Sequence, residues 1–254
     1  DFDGKKFSID ETFSKDVKQQ KGLWIDYGRD NYAGVTWDNI SEVDGRKLFI
    51  GWMSNWDYAQ KVPTETWRSS MTIPRELVLV KDSGHYIVSS KPVKELQNYI
   101  AKTIKKESLK IDKETILVDK KVVDLSKLDI HFSLKNLKKD VYTFSLSNDA
   151  KNTIQFGINK KENYFFIDRS KSGKLAFSNL FAKNISKAPF KGDFDKMDIR
   201  IIVDKTSIEI FYNNGKTVMT EIFFPDKPME YFSVSKANTE YTIENLIINQ
   251  LNFN

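Results

Sequence analysis

From about residue 104 onward, short runs alternate polar and apolar side chains with a period of two, and this pattern constrains the fold more than any other feature of the chain. Thr143-Phe144-Ser145-Leu146 and Thr153-Ile154-Gln155-Phe156-Gly157-Ile158 are examples. Successive side chains of a strand point to opposite faces, so each run can bury one face and wet the other. Tyr164–Asp168, Asp198–Val203, Ser207–Tyr212, Val218–Phe223 and Tyr241–Ile248 read as further strands. Asn213-Asn214-Gly215, between two of them, is a hairpin signal because Asn and Gly accept the positive φ angles such a turn needs. So many one-sided strands require two packed antiparallel sheets, and residues 104–254 are expected to form a β-sandwich.

Residues 1–88 are also strand-rich but differently punctuated. Asp3-Gly4 opens a turn, and Leu23–Tyr27 and Tyr32–Trp37 are strand-like and joined by Gly28-Arg29-Asp30-Asn31. Asp44-Gly45 leads into Lys47–Met53, and Ser69–Ile73 precedes Pro74. Short strands with Gly and Asn turns at even spacing point to a sandwich, barrel or propeller. Between the halves, Ser90–Ile100 carries a proline near its first turn and Val93, Leu96 and Ile100 on one helical face. It predicts a short helical linker over residues 89–103.

The apolar fraction of 40% suffices for a core, and the absence of cysteine excludes disulfides, thiolate metal sites and a thiol nucleophile. Two histidines, His85 and His131, argue against a Ser-His-Asp triad or a His-rich zinc site, and no metal or cofactor is expected. No apolar run reaches the roughly 20 residues that span a bilayer, and Asp-Phe-Asp-Gly does not read as the start of a signal peptide. The net charge of +5 comes from scattered lysine pairs such as Lys105-Lys106 and Lys160-Lys161. A solvated surface explains them better than a nucleic-acid stripe, and no nucleic-acid partner is expected.

All five tryptophans (Trp24, Trp37, Trp52, Trp56, Trp67) fall in the first 67 residues. Asp26, Arg29, Asp30 and Tyr32 cluster around one turn, with Asn55, Asp57 and Arg68 near the later tryptophans. Indole faces stack on the C–H faces of sugars, while carboxylates and guanidinium groups fix hydroxyls, so the inventory suits a carbohydrate. Packed tryptophans beside surface charges explain it as well. There is no glycine-rich phosphate loop. In the second half, Asp168-Arg169 reads as a structural ion pair, and Glu209 and Glu221 read as solvent-facing and inert.

Five motifs carry a resemblance: Asp1-Phe2-Asp3-Gly4; Asp26-Tyr27-Gly28-Arg29-Asp30-Asn31-Tyr32-Ala33; Gly51-Trp52-Met53-Ser54-Asn55-Trp56; Pro63 to Met71; and Pro74-Arg75-Glu76-Leu77. In order and spacing the chain resembles glycoside hydrolase family 32, the invertases, levanases, exo-inulinases and other β-fructofuranosidases. The second half is similar to that family's C-terminal module in Asp168–Gly173 and Ser207–Pro225. The resemblance implies an all-β fold in which the last blades of a five-bladed β-propeller precede a β-sandwich.

It also implies retaining hydrolysis of terminal β-fructosyl bonds in levan, inulin or sucrose, by a nucleophile and an acid/base carboxylate about 5–5.5 Å apart. The family's Asn-Asp-Pro, Arg-Asp-Pro and Glu-Cys-Pro motifs, which carry its nucleophile, transition-state-binding Asp and acid/base, are not in this sequence. The chain is therefore expected to be the last two blades and the sandwich, with no catalytic residue of its own and no activity in isolation. A non-catalytic carbohydrate-binding or structural module is the other reading.

Carried over position by position, Asp26 and Arg29 would support the acid/base. Trp52 would line the pocket for the terminal fructosyl unit, with Asn55 and Trp56 near its rim. Asp30 and Tyr32 would support the pocket or touch substrate directly, while Trp67 and Arg68 would be structural. The implied partner is a fructan or sucrose, and the family favours an extracellular, periplasmic or cell-surface location. Uncovered blade edges would favour self-association.

Overall fold

The computed structural model describes residues 2–9, 14, 22–82, 85–190 and 195–253. Asp1, the first residue of the Asp-Phe-Asp-Gly motif, lies outside them. The chain is mostly strand, in three antiparallel sheets.

The first sheet contains β1 (Tyr32–Thr36), β2 (Lys47–Met53), β3 (Ser70–Met71), β4 (Arg75–Asp82) and β5 (His85–Pro92). Its order is β1-β2-β4-β5, with the two-residue β3 also paired to β2. Tyr32 lies opposite Trp52, and Arg75 lies between Phe49 and Pro92. Only one such sheet is formed by the described residues, where two blades were expected. The Asp3-Gly4 turn does form, closed by a Phe2–Phe7 bridge whose rings stack at 4.5 Å.

The second sheet runs β12 (Ser186–Pro189), β11 (Tyr164–Lys171), β10 (Thr153–Asn159), β9 (Val141–Ser147), β16 (Tyr231–Val234) and β7 (Thr115–Asp119). The third runs β15 (Thr217–Ile222), β14 (Ser207–Tyr212), β13 (Lys196–Asp204), β8 (Lys127–Lys135), β17 (Tyr241–Leu251) and β6 (Ile100–Ile111). The alternating positions of both sheets meet in one core. Phe144, Phe156 and Phe232 stack within about 6 Å of one another and are fully buried, beside Ile130, Ile201, Ile210 and Ile248 from the facing sheet. At about 25 cal/mol per Å² of apolar area, each such ring contributes roughly 2–3 kcal/mol, which makes this the main source of cohesion. Asn213, Asn214 and Gly215 take φ values of 48°, 58° and 79° in the β14–β15 turn, as that sequence predicts.

Two expected elements differ. Ser90–Ile100 is not an amphipathic α-helix: β5 continues through Pro92, and only Lys94–Tyr99 is helical, as a six-residue 3₁₀ segment that runs straight into β6. Leu96 is nevertheless buried against Ile202, Phe211, Val218 and Leu251 with Ile100 beside it, as the apolar spacing of those two residues predicts. Six residues between two strands leave no room for two α-helical turns. Leu23–Tyr27 is not a strand: it bends at Ile25 and joins no ladder. Tyr27 N–H instead donates to Val218 O (2.8 Å) and Asp30 N–H to Thr220 O (3.2 Å), so this segment lies along the free edge of β15. That edge would otherwise offer unpaired backbone groups. Gly28 allows the approach: a Cβ there would sit 2.0 Å from Thr220 O.

Candidate functional site

β1 and β2 bring three of the sequence-nominated aromatics together. The Tyr32 ring meets Trp52 edge-on at 6.3 Å, and Trp52 meets Trp56 at 5.0 Å with the planes tilted by 54°. Tyr32 and Trp56 are 55% and 65% exposed, so two rings of the cluster present open faces to solvent. Burial alone does not account for rings left this bare.

A polar rim adjoins them. Asn55 Nδ2 donates to Arg29 O (2.9 Å), and its Oδ1 accepts from Asp57 N–H (3.0 Å). Arg29 Nη2 donates to Asp57 Oδ2 at 3.0 Å, closing a bridge between the two loops that carry the site. Asn55 O also accepts from Tyr58 and Ala59 N–H, which fixes the turn that holds Trp56 outward. Five of the nominated residues (Arg29, Tyr32, Trp52, Asn55, Trp56) thus lie in one neighbourhood. Trp67 is 44% exposed on its own, and Arg68 is tied to Gln60 O.

Asp26 and Asp30 lie elsewhere in the architecture. Asp26 accepts from Thr220 N–H (2.9 Å), Thr220 Oγ1 (2.6 Å), Gly28 N–H (2.9 Å), Asn31 Nδ2 (3.0 Å) and Arg75 Nη1 (2.8 Å). Asp30, fully buried, accepts from the Tyr58 hydroxyl (2.5 Å), Arg169 Nη1 (2.5 Å) and Ile222 N–H (2.9 Å). Both carboxylates bind the first sheet to β15 of the sandwich.

Four charged residues that sequence reasoning undervalued complete this junction. Arg75, with no exposed surface, joins Asp26 to Glu209, donating to Glu209 Oε2 at 2.5 Å. Arg169 joins Asp30 to Glu221, whose Oε2 lies 2.7 Å from Nη1, and its guanidinium stacks 3.9 Å from the Phe181 ring centroid. Glu209 and Glu221, expected to face solvent, are 3% and 0% exposed because the first sheet and the loop at residues 26–30 cover them. The Asp168–Arg169 ion pair does not form. Asp168 accepts from Ser170 N–H, while Arg169 points to the more distant acids.

Each arginine here faces two acids, and the protonation of the acids responds. Glu221 is pushed up to about 7, first by burial and then by the charge of Asp30, against the pull of Arg169. Burial also raises Glu209, despite the Arg75 guanidinium beside it. Tyr58 is raised by burial and by the Asp30 charge, so its hydroxyl stays protonated and donates. Among the described residues no group of three or more His, Asp or Glu side chains is placed to hold a metal ion, and no helix is long and apolar enough to cross a membrane.

Residues 1–92 match the family model for the glycosyl hydrolases family 32 N-terminal domain, and residues 95–250 match the model for the family 32 C terminal. A levanase of Bacillus subtilis (strain 168) is 34% identical over 252 residues, covering 99% of this chain and 36% of the levanase. A levanbiose-producing levanase of the same organism is 32% identical, covering 91% and 44%. Among solved structures, exo-inulinase from Aspergillus awamori superposes with a TM-score of 0.75 at 23% identity, over 90% of this chain and 44% of the other. β-Fructofuranosidase from Schwanniomyces occidentalis, complexed with fructosyl-erythritol, gives 0.74 at 24% identity, over 90% and 49%.

In fold, the chain matches proteins that join a β-propeller to a β-sandwich. It belongs to glycoside hydrolase family 32, a family of fructan-cleaving hydrolases. The chain spans less than half the length of the relatives it matches.

Proposed function

We propose that this chain is the C-terminal part of a retaining β-fructofuranosidase acting on levan, inulin or sucrose. The first sheet is then one of the last blades of a five-bladed propeller. The domain division falls between β5 and β6, with the 3₁₀ segment as its short link. The chain supplies one wall of the pocket for the terminal fructosyl unit and no catalytic carboxylate.

The observation that carries this reading is the exposed Tyr32–Trp52–Trp56 cluster beside the Asn55, Arg29 and Asp57 rim. Stacking faces next to fixed hydrogen-bonding groups suit a furanose ring and its hydroxyls. Retaining hydrolysis needs two carboxylates, one free to attack and one free to give and take a proton. Asp26 and Asp30 are consumed by arginines, a tyrosine, a threonine and backbone N–H groups, so they fit neither part. They support the reading in a different capacity, holding the Arg29 loop and hence the rim in place. Asn31 and Arg75 would relay that position to whatever acid/base stands opposite.

The first sheet also leaves Val35, Met71, Leu79, Tyr86 and Val88 between 47% and 65% exposed. Neighbouring blades would cover such a surface, and copies of the chain alone would cover it for one another. The location we favour, on family resemblance, is extracellular, periplasmic or cell-surface. Titration with fructo-oligosaccharide, followed by tryptophan emission, tests the proposal. A saturable change, clearly weakened by Trp52→Ala or Trp56→Ala, is expected, and no change at millimolar ligand would overturn it.

A further inference from the structure

A concavity with a mixed, more apolar than polar lining lies on the outer face of the third sheet, where the end of β5 meets the sandwich. It is a groove of about 400 Å³, lined by Lys91 and Pro92 of β5, His131 of β8, Arg200 of β13, Asn214 of the β14–β15 turn and Ile247 of β17. In the first sheet the aromatic cluster sits on β1 and β2, and β4 separates it from β5. At about 4.8 Å per strand the two places are more than one strand spacing apart.

The floor is ordered by a buried acid. Asp129, 1% exposed, accepts a forked pair from Arg200, Nε to Oδ1 and Nη2 to Oδ2, each at 2.9 Å. His131 Nε2 lies 3.0 Å from the same Oδ1. Burial would raise the Asp129 carboxyl, but the hydrogen bonds from His131 and Arg200 overcome it and hold the group low and charged.

Two consequences follow for the groove. His131 Nε2 lies within reach of Asp129, and an imidazole protonated on that nitrogen alone leaves Nδ1 as a lone-pair acceptor. Arg200 Nη1, with no protein partner among the described residues, is a donor held in fixed orientation. A donor and an acceptor side by side match a hydroxyl, which does both, and match a phosphate, which only accepts, less well. Two acids stand with Lys91 and Arg200: Asp129, bound to Arg200, and Asp198, which lines the same groove and has Lys196 Nζ at 3.6 Å. Pro92 and Ile247 add apolar surface for C–H faces. The volume falls in the range of small-ligand pockets, roughly 300–1,000 Å³.

We propose that this groove is a second carbohydrate site, taking a short neutral oligosaccharide segment through hydroxyls seated on His131 and Arg200. In a fructan-binding chain it would hold a part of the polymer distant from the fructosyl pocket. It does not require that the aromatic cluster bind sugar.

The test separates the two sites because the groove contains no tryptophan. The full 254-residue chain, ¹⁵N-labelled, is titrated with fructo-oligosaccharide and, separately, with inorganic phosphate. The proposal expects the His131 ring and Arg200 Nε–H resonances to shift with saccharide at millimolar concentration, in the parent chain and in Trp56→Ala alike. It expects His131→Phe, which keeps the Arg200–Asp129 fork, to weaken that response at least fivefold, and Arg200→Ala to abolish it. Shifts with phosphate but not saccharide would overturn it in favour of an anion site. No shift with either would overturn it in favour of a structural ionic trio. Loss of tryptophan emission changes with retained groove shifts would sink the fructosyl-pocket reading alone.

Discussion

Arg75 of the first sheet reaches Glu209 of the sandwich with both side chains out of contact with solvent, and its Nη2 donates to Glu209 Oε2 at 2.5 Å. The two residues lie 134 positions apart. With Asp26 on the other side of the guanidinium and Phe211 beneath it at 5.1 Å, this pair fixes how the sheet bearing the aromatic cluster meets the sandwich. Replacing Arg75 by Met should therefore cost about 3–5 kcal/mol, because it leaves two buried acids uncompensated. Arg75→Met combined with Glu209→Gln should cost less than the sum of the single changes, since the two are strongly coupled. Urea unfolding of the four proteins checks both statements.

Glu221 makes the junction sensitive to pH. Its carboxyl titrates at about 7 in the folded chain, against about 4.3 when unfolded. Between those values the native state holds a proton that the unfolded state has released, so stability falls as pH rises. The slope is at most about 1.4 kcal/mol per pH unit, and above the folded pKa the loss is complete. Glu209, also raised, acts in the same direction. Glu221→Gln removes the titration, so its stability relative to the parent should climb with pH from about 4.3 to about 7 and then level off. A difference that stays flat across this window would contradict the assignment.

Gly28→Ala places a methyl group 2.0 Å from Thr220 O, against backbone that cannot turn away. The loop at residues 26–30 must lift from β15, weakening the Asp26 and Asp30 contacts together. We expect a loss of about 1–3 kcal/mol, together with faster amide exchange at Thr220 and Ile222, whose N–H groups those aspartates accept.

Trp56 behaves differently because it is 65% exposed. Trp56→Ala should leave unfolding free energy within about 0.5 kcal/mol of the parent while reducing fructo-oligosaccharide affinity roughly tenfold, the worth of one good aromatic contact. Paired unfolding and titration experiments read both effects.

These properties divide along the line between local and long-range information. Lys47–Met53, an apolar run after the Asp44-Gly45 turn, and Ser207–Tyr212 are strands at the boundaries the sequence predicts, and Tyr32, Trp52 and Trp56 could be nominated from residue type and turn spacing. The burial of Glu209 and Glu221 is not legible in the sequence, because alternation says which face a side chain takes, not whether another sheet covers that face. The groups from the N-terminal half that cover them, Arg75 and the Arg29 N–H, lie 134 and 192 residues away. The sequence puts Asp26 and Asp30 in one turn, but their arginines lie on β4 and β11, beyond any local pattern. Around Ser90–Ile100 the apolar spacing was real, yet the pairing of Pro92 with Arg75 held the chain extended where a helix would have begun.

The central claim is that this chain presents a sugar-binding wall and a sandwich without the carboxylate pair that cleaves the glycosidic bond. Fructose release from sucrose, inulin and levan by the purified 254-residue chain tests it most directly. The account predicts release no greater than in buffer, at concentrations where saccharide quenches or enhances tryptophan emission. Sustained turnover of any of the three, retained through purification and lost on mutating an acid of this chain, would contradict it.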